Sequence, residues 1–347
     1  MDSNRRLTLH LRLEDFVALA FFLISLMLRL LVRGVEHRRL SPADVLVIIP
    51  AMTLLLAKEL VHYFVVGKKE SSASSTDPRS FVRPYWEIVR DWFPYLVILL
   101  MYYSLWGDAT HLLVPRDRDA ELIALDQRLF GFQASLAIQR FITPRLTAWM
   151  EFTYFFHVLN IPIVGCFVYL FRPRARFREM MSGLMVVTFL GLTGYILVPA
   201  IGPMYTQHSL YTVPLRQPIA FFNQQLQFMD FARIHRDVFP SMHVAISFLV
   251  WLYAFRNSRP LFWILSPFVL SLWVSTVYLR YHYLIDVVAG LALAPVSFVL
   301  ANWLFKRFGN LALPVPVPAA WTEGLEQMGV TGEAKARKAS GGTEDHP

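Results

Sequence analysis

Eight long apolar runs govern what this chain can fold into. A helix needs roughly 20 mostly apolar residues to cross the hydrocarbon core of a bilayer. The runs at Leu13–Val32, Pro42–Val66, Asp91–Val114, Trp149–Phe171, Glu179–Pro199, Pro260–Leu279 and Leu284–Phe305 reach or approach that length. An eighth, His243–Phe255, is short and is expected to start inside the membrane boundary, as a helix lining a cavity can. Composition agrees, with 55% hydrophobic and 17% charged residues, against about 25% charged in an average soluble domain. The pattern predicts an all-α polytopic transmembrane bundle of about eight spans.

Eight spans would put both termini on one side, and charge then orients the chain. Loops on the terminus side carry 19 Lys and Arg, against 12 in loops of similar total length on the other. The link Arg172-Pro-Arg174-Ala-Arg176-Phe-Arg178 is the clearest signal. The positive-inside rule makes the termini cytoplasmic, with a bacterial-type plasma (inner) membrane as the expected location. A net charge of +8 is also found in nucleic-acid binders, but here the basic residues cluster beside apolar runs and serve orientation instead. No nucleic-acid partner is implied. Cys166 is the single cysteine, which excludes an intrachain disulfide, and it is read as a small buried hydrophobe.

Residues 1–114 read as N-terminal spans, 115–305 as a catalytic membrane domain and 306–347 as a disordered cytoplasmic tail rich in Pro, Gly, Lys and Glu. Leu122, Leu125, Leu129 and Phe132 recur at helical spacing and suit a helix lying along the interface. Residues 221–231 suit a second such element.

Ionisable residues at the ends of membrane spans mark function. Two clusters qualify: Phe239-Pro240-Ser241-Met242-His243, leading into the sixth span, and the stretch from Ser275 to Asp286 joining the seventh to the eighth. Alternation of spans places His243, Arg280, His282 and Asp286 at one membrane level. His282 and Asp286 are four apart and would share a helical face. A carboxylate on one imidazole nitrogen leaves the other as a nucleophile, and His243 on another helix could serve as general acid. Ser241 and the backbone before the sixth span could receive an anion, and the planar fork of Arg280 matches phosphate oxygens. Arg236 lies where it could meet a substrate head group.

Pro240-Ser-Met-His243 followed by Tyr278-x3-His282-x3-Asp286 resembles the type 2 phosphatidic acid phosphatase superfamily over roughly residues 120–305. The resemblance implies a six-helix phosphatase-like core with extra N-terminal spans, a phosphohistidine on His282, Asp286 as its partner, His243 as acid, no cofactor and no metal. Thr276 stands where the commonest third motif has arginine, and the lysine-containing first motif is absent, leaving Pro199-Ala-Ile-Gly202-Pro203-Met-Tyr205 in its region. Ser275-Thr276-x-Tyr278-x3-His282-Tyr283-x2-Asp286, with Leu125-Asp126-x3-Phe130-Gly131 and Glu151-x2-Tyr154, is closer to the inositol phosphorylceramide synthase-like branch. Tyr278 and Tyr205 join Ser241, Arg280 and Arg236 as candidate phosphate- or substrate-binding residues. The implied partners are a lipid phosphate, of phospholipid or polyprenyl-phosphate type, and the bilayer; hydrolysis and transfer to an alcohol such as inositol use the same residues. A proton-coupled transporter is the alternative, although transporter sites tend to the midplane.

Overall fold

The computed structural model describes residues 6–36, 42–66, 78–104, 114–215 and 236–316. Its principal helices are α1 (Leu13–Glu36), α2 (Pro42–Val66), α3 (Pro78–Ser104), α4 (Asp119–Phe130), α5 (Pro144–Phe171), α6 (Arg174–Leu197), α7 (Met242–Asn257), α8 (Arg259–Tyr278) and α9 (Leu284–Phe308). A two-stranded antiparallel ribbon, β1 (Arg6–Arg12) with β2 (Asn310–Pro316), ties the two ends together, Arg12 opposite Asn310. Apart from that ribbon the regular elements among the described residues are helical, as expected of an all-α bundle. Helix α9 runs on through Lys306 and Arg307, cations suited to a helix C-terminus, and β2 follows it. Residues 317–347 and the element expected at 221–231 lie outside the described residues.

Among the described residues four helices, α5, α6, α8 and α9, are long and apolar enough to cross a membrane by length and composition. That is half of the expected count. The sixth expected span, α7, has 16 residues, about 24 Å of helix, short of a core roughly 30 Å thick. The third, α3, starts at Pro78, well before the apolar run. Its charges are tolerated because they are matched: Arg90 Nη2 is 2.7 Å from Glu59, while Asp91 takes Arg12 at 2.7 Å and Arg174 at 2.6 Å. Lys58 likewise sits between Asp15 and Glu59, so the polar residues of α2 form an internal ion-pair network. Outward faces are apolar, with Trp263 69%, Val299 67% and Trp303 59% exposed, as lipid contact requires. Cys166 lies on this outer surface, not buried as its composition suggested, since its position on α5 turns away from the core.

The central helix is α6, packed against α1, α3, α5, α7 and α9. Close approach there depends on small residues, as membrane helix packing does. A Cβ on Gly191 would fall 1.8 Å from Met242 Sδ, and one on Gly194 2.3 Å from Pro240 Cδ. On α9, a Cβ on Gly290 would meet the Ser241 carbonyl at 2.5 Å. These contacts seat the Pro240–His243 segment between α6 and α9. At the opposite end of the bundle Arg172 bonds the Asn257 carbonyl and Arg178 that of Gly309, so the arginine-rich link and the histidine motifs occupy opposite ends.

Candidate active site

Three helix ends converge on the site. Helix α7 begins at the N-cap Ser241, whose amide donates to the Asp286 carbonyl at 3.0 Å, joining α7 to α9. Helix α8 ends in a Schellman turn: the Arg280 amide bonds the Val277 carbonyl and the Tyr281 amide that of Thr276, both at 3.0 Å. The left-handed residue of that turn, ordinarily glycine, is Arg280, at φ 67°. The turn delivers His282 two residues before α9.

His243 Nδ1 and His282 Nε2 face each other across 3.5 Å. On its other side, His282 Nδ1 lies 3.5 Å from Asp286 Oδ2, with His282 and Asp286 2% and 0% exposed. His282 precedes α9, so the two do not share a helical face; Asp286 folds back over the first turn and also accepts the Tyr283 amide at 2.8 Å. His243 Nε2 meets the Tyr154 hydroxyl of α5 at 3.0 Å. Tyr154 stacks on Tyr281 at 4.9 Å, and His157 donates from Nδ1 to the Tyr154 carbonyl at 2.7 Å. Both histidines are therefore held from behind, with facing nitrogens.

Two aspartates of α4 brace this arrangement. Asp126 accepts the amides of Leu284 at 3.0 Å and Ile285 at 2.8 Å, supplying the N-terminal cap of α9 from another helix. Burial raises its carboxyl above the ordinary value, against the pull of those two amides. Asp119 accepts the amides of Ile201 and Gly202 and the Tyr283 hydroxyl. Gly202 sits at φ 98°, where a Cβ would come 2.9 Å from the Tyr281 carbonyl. Of the apolar stripe on this helix, Leu122 is buried against Ala200, Val238 and Tyr283, while Leu125, Leu129 and Phe132 are exposed.

The remaining candidates separate. Ser241 is fully buried, and its hydroxyl has no hydrogen-bond partner among the described residues. Arg280 is pinned: its guanidinium lies 3.8 Å over the Tyr211 ring and donates from Nη2 to the Val213 carbonyl, while Nε has no partner among the described residues. Burial lowers its pKa. Tyr278 turns away, its hydroxyl bonding Thr147 at 2.8 Å. Arg236 Nε bonds Asp117 at 2.5 Å and its Nη1 the Val114 carbonyl, anchoring the segment before Phe239. Tyr205 is 47% exposed on a short helix, Pro203–Thr206, beside the site loops. Asp119 and Tyr211 are site neighbours that motif spacing does not assign, and Tyr154 stands in the Glu151-x2-Tyr154 stretch without an assigned role. For Tyr154 the i, i+3 spacing with His157 was a usable signal; for Tyr211 there was none. Among the described residues no group of three or more His, Cys, Asp or Glu could hold a metal.

Fold and site together define an integral membrane helical bundle with a buried His–Asp pair facing a second histidine. Residues 120–300 match the model of the PAP2 superfamily, more than half of the chain, and the protein belongs to that superfamily. It is also similar to a phosphoinositol dihydroceramide synthase of Bacteroides thetaiotaomicron, 25% identical over 167 residues. That match covers 44% of this chain and 53% of the relative, so the chain spans about half the length of that protein. The relative's name accords with the inositol phosphorylceramide synthase-like branch that the motifs resemble. No solved structure matches the chain.

Proposed function

We propose that the protein is a membrane lipid phosphotransferase that works through a phosphohistidine on His282, with phosphatase activity when water replaces the acceptor. The observation carrying this reading is the His243–His282–Asp286 relay, with 3.5 Å at each contact. With its Nδ1 proton directed to Asp286, His282 has its Nε2 lone pair available. That pair forms the N–P bond as the P–O bond to the lipid alcohol breaks, and His243 Nδ1–H protonates the departing oxygen. An acceptor hydroxyl then returns its proton to His243 and displaces the histidine. The unpartnered Ser241 hydroxyl and Arg280 Nε–H are the donors nearest in the sequence to the two histidines that remain for phosphate oxygens, a role in which positioning and charge neutralisation supply most of the catalysis.

The arginine-rich end opposite the site supports cytoplasmic termini and an extracytoplasmic active face. Eight spans, with α1 to α3 preceding the catalytic domain at 115–305, fit that orientation. The name of the relative supports phosphoinositol transfer to a lipid hydroxyl. The deciding assay presents the detergent-solubilised protein with a range of lipid phosphates, with and without free inositol. A new phosphate ester of the acceptor alcohol supports transfer, a phosphate or phosphorylated head group released to water supports hydrolysis, and no turnover of any lipid phosphate rejects the reading.

A further inference from the structure

Glu151 is 3% exposed, and neither of its carboxylate oxygens has a hydrogen-bond partner among the described residues. Burying such a group without partners is costly, and an apolar residue would pack α5 as well. The neighbourhood is specific. Thr147, Glu151 and Tyr154 fall on one helical stripe, and all three are buried. Tyr154 touches His243, and Thr147 bonds Tyr278 at the end of the helix that delivers His282. Glu151 therefore lies between two contacts that frame the histidine pair, about 4.5 Å along the axis from Tyr154.

A carboxylate here accepts hydrogen bonds and repels a phosphate oxygen, so the group that satisfies it is a donor without negative charge. We propose that Glu151 binds the hydroxyl-bearing acceptor, a neutral polyol or lipid alcohol, that attacks the phosphohistidine. This rests on the phosphotransfer reading. In the attack the acceptor oxygen forms the O–P bond, the N–P bond breaks with its electrons returning to His282 Nε2, and the hydroxyl proton goes to His243. Glu151 gains or loses no proton; it holds the acceptor through hydroxyl hydrogen bonds.

The test uses the full chain in detergent with a lipid phosphate donor and myo-inositol or a long-chain alcohol as the probe acceptors. Glu151→Gln and Glu151→Ala should raise the acceptor KM at least tenfold and lower the ratio of transfer to hydrolysis by a similar factor. The nearly isosteric Gln variant decides the matter if the Ala variant does not fold. An unchanged ratio, with transfer and hydrolysis falling together or neither falling, overturns the proposal, as does a wild-type protein that transfers to neither acceptor. Failure of the underlying reading shows separately, as donor cleavage that survives His282→Ala.

Discussion

His243 presents Nδ1 to His282 Nε2 across 3.5 Å, while each ring is held from behind, His243 by the Tyr154 hydroxyl and His282 by Asp286. The facing nitrogens are equivalent in distance but not in chemistry. His282 has the Asp286 carboxylate behind it and His243 the Tyr154 hydroxyl, so the two histidines should fail differently. His282→Ala should abolish both turnover and the acid-labile, base-stable phosphoenzyme with every substrate. His243→Ala should lose roughly 10²–10⁴-fold with alkyl phosphates but recover much of the rate with an aryl phosphate whose leaving group needs no proton. Equal losses on both substrates would remove the acid role from His243.

Asp286 Oδ2 lies 3.5 Å from His282 Nδ1 and also accepts the Tyr283 amide. Asp286→Asn keeps an oxygen for the cap but loses the charge that stabilises the imidazole partner. Turnover should fall by at least about 10²-fold, with the protein still monodisperse in detergent. An unaltered rate would leave the pair structural.

The long helices were legible because apolar run length is a local property, and α2, α5 and α9 lie close to where their runs do. The start of α3 was not, because it depends on ion pairs between Asp91 and arginines far away in sequence. The histidine pair was legible from the alternation of spans, which brings α7, α8 and α9 to one level without reference to side chains. Its mode of contact was not: helical spacing placed His282 on a helix that begins only at Leu284. Asp126 was visible as part of a family-like stretch, yet its bonds to Leu284 and Ile285 cross 158 and 159 residues of sequence. No periodicity encodes such a distance.

That long-range cap makes α4 a determinant of where α9 begins and, on the proposed function, of the rate. Asp126→Ala would leave two α9 amides without acceptors, costing about 0.5–2 kcal/mol. Displacing the start of α9 by 1 Å is enough to cost roughly 10²-fold in rate. Asp126→Asn, which retains an oxygen acceptor, should recover most of the stability. Burial raises the folded pKa of this carboxyl, so its protonated form is favoured by folding. The corresponding stability is fully present below the unfolded carboxylate pKa and is lost as pH rises through the folded one. Thermal unfolding in detergent should show wild type gaining on Asp126→Asn as pH falls across that interval; a constant difference would contradict the cause assigned to the shift.

Arg280 combines a backbone demand with a side-chain function, and two substitutions separate them. Its φ of 67° suits glycine, whereas a residue with a Cβ pays roughly 1–2 kcal/mol there. Its guanidinium meanwhile lies on Tyr211 and bonds the Val213 carbonyl. Arg280→Gly therefore preserves the Schellman turn that delivers His282 and removes only the side chain, while Arg280→Ala removes the side chain and keeps the strain. If the unpartnered Nε–H meets phosphate, Arg280→Gly should raise the KM for the lipid phosphate about tenfold or more with a small change in kcat. Arg280→Ala should show the same KM effect together with a lower unfolding temperature. An unchanged donor KM in Arg280→Gly would reduce Arg280 to a clamp between the 199–215 loop and the end of α8, and leave Ser241 as the remaining candidate donor to phosphate.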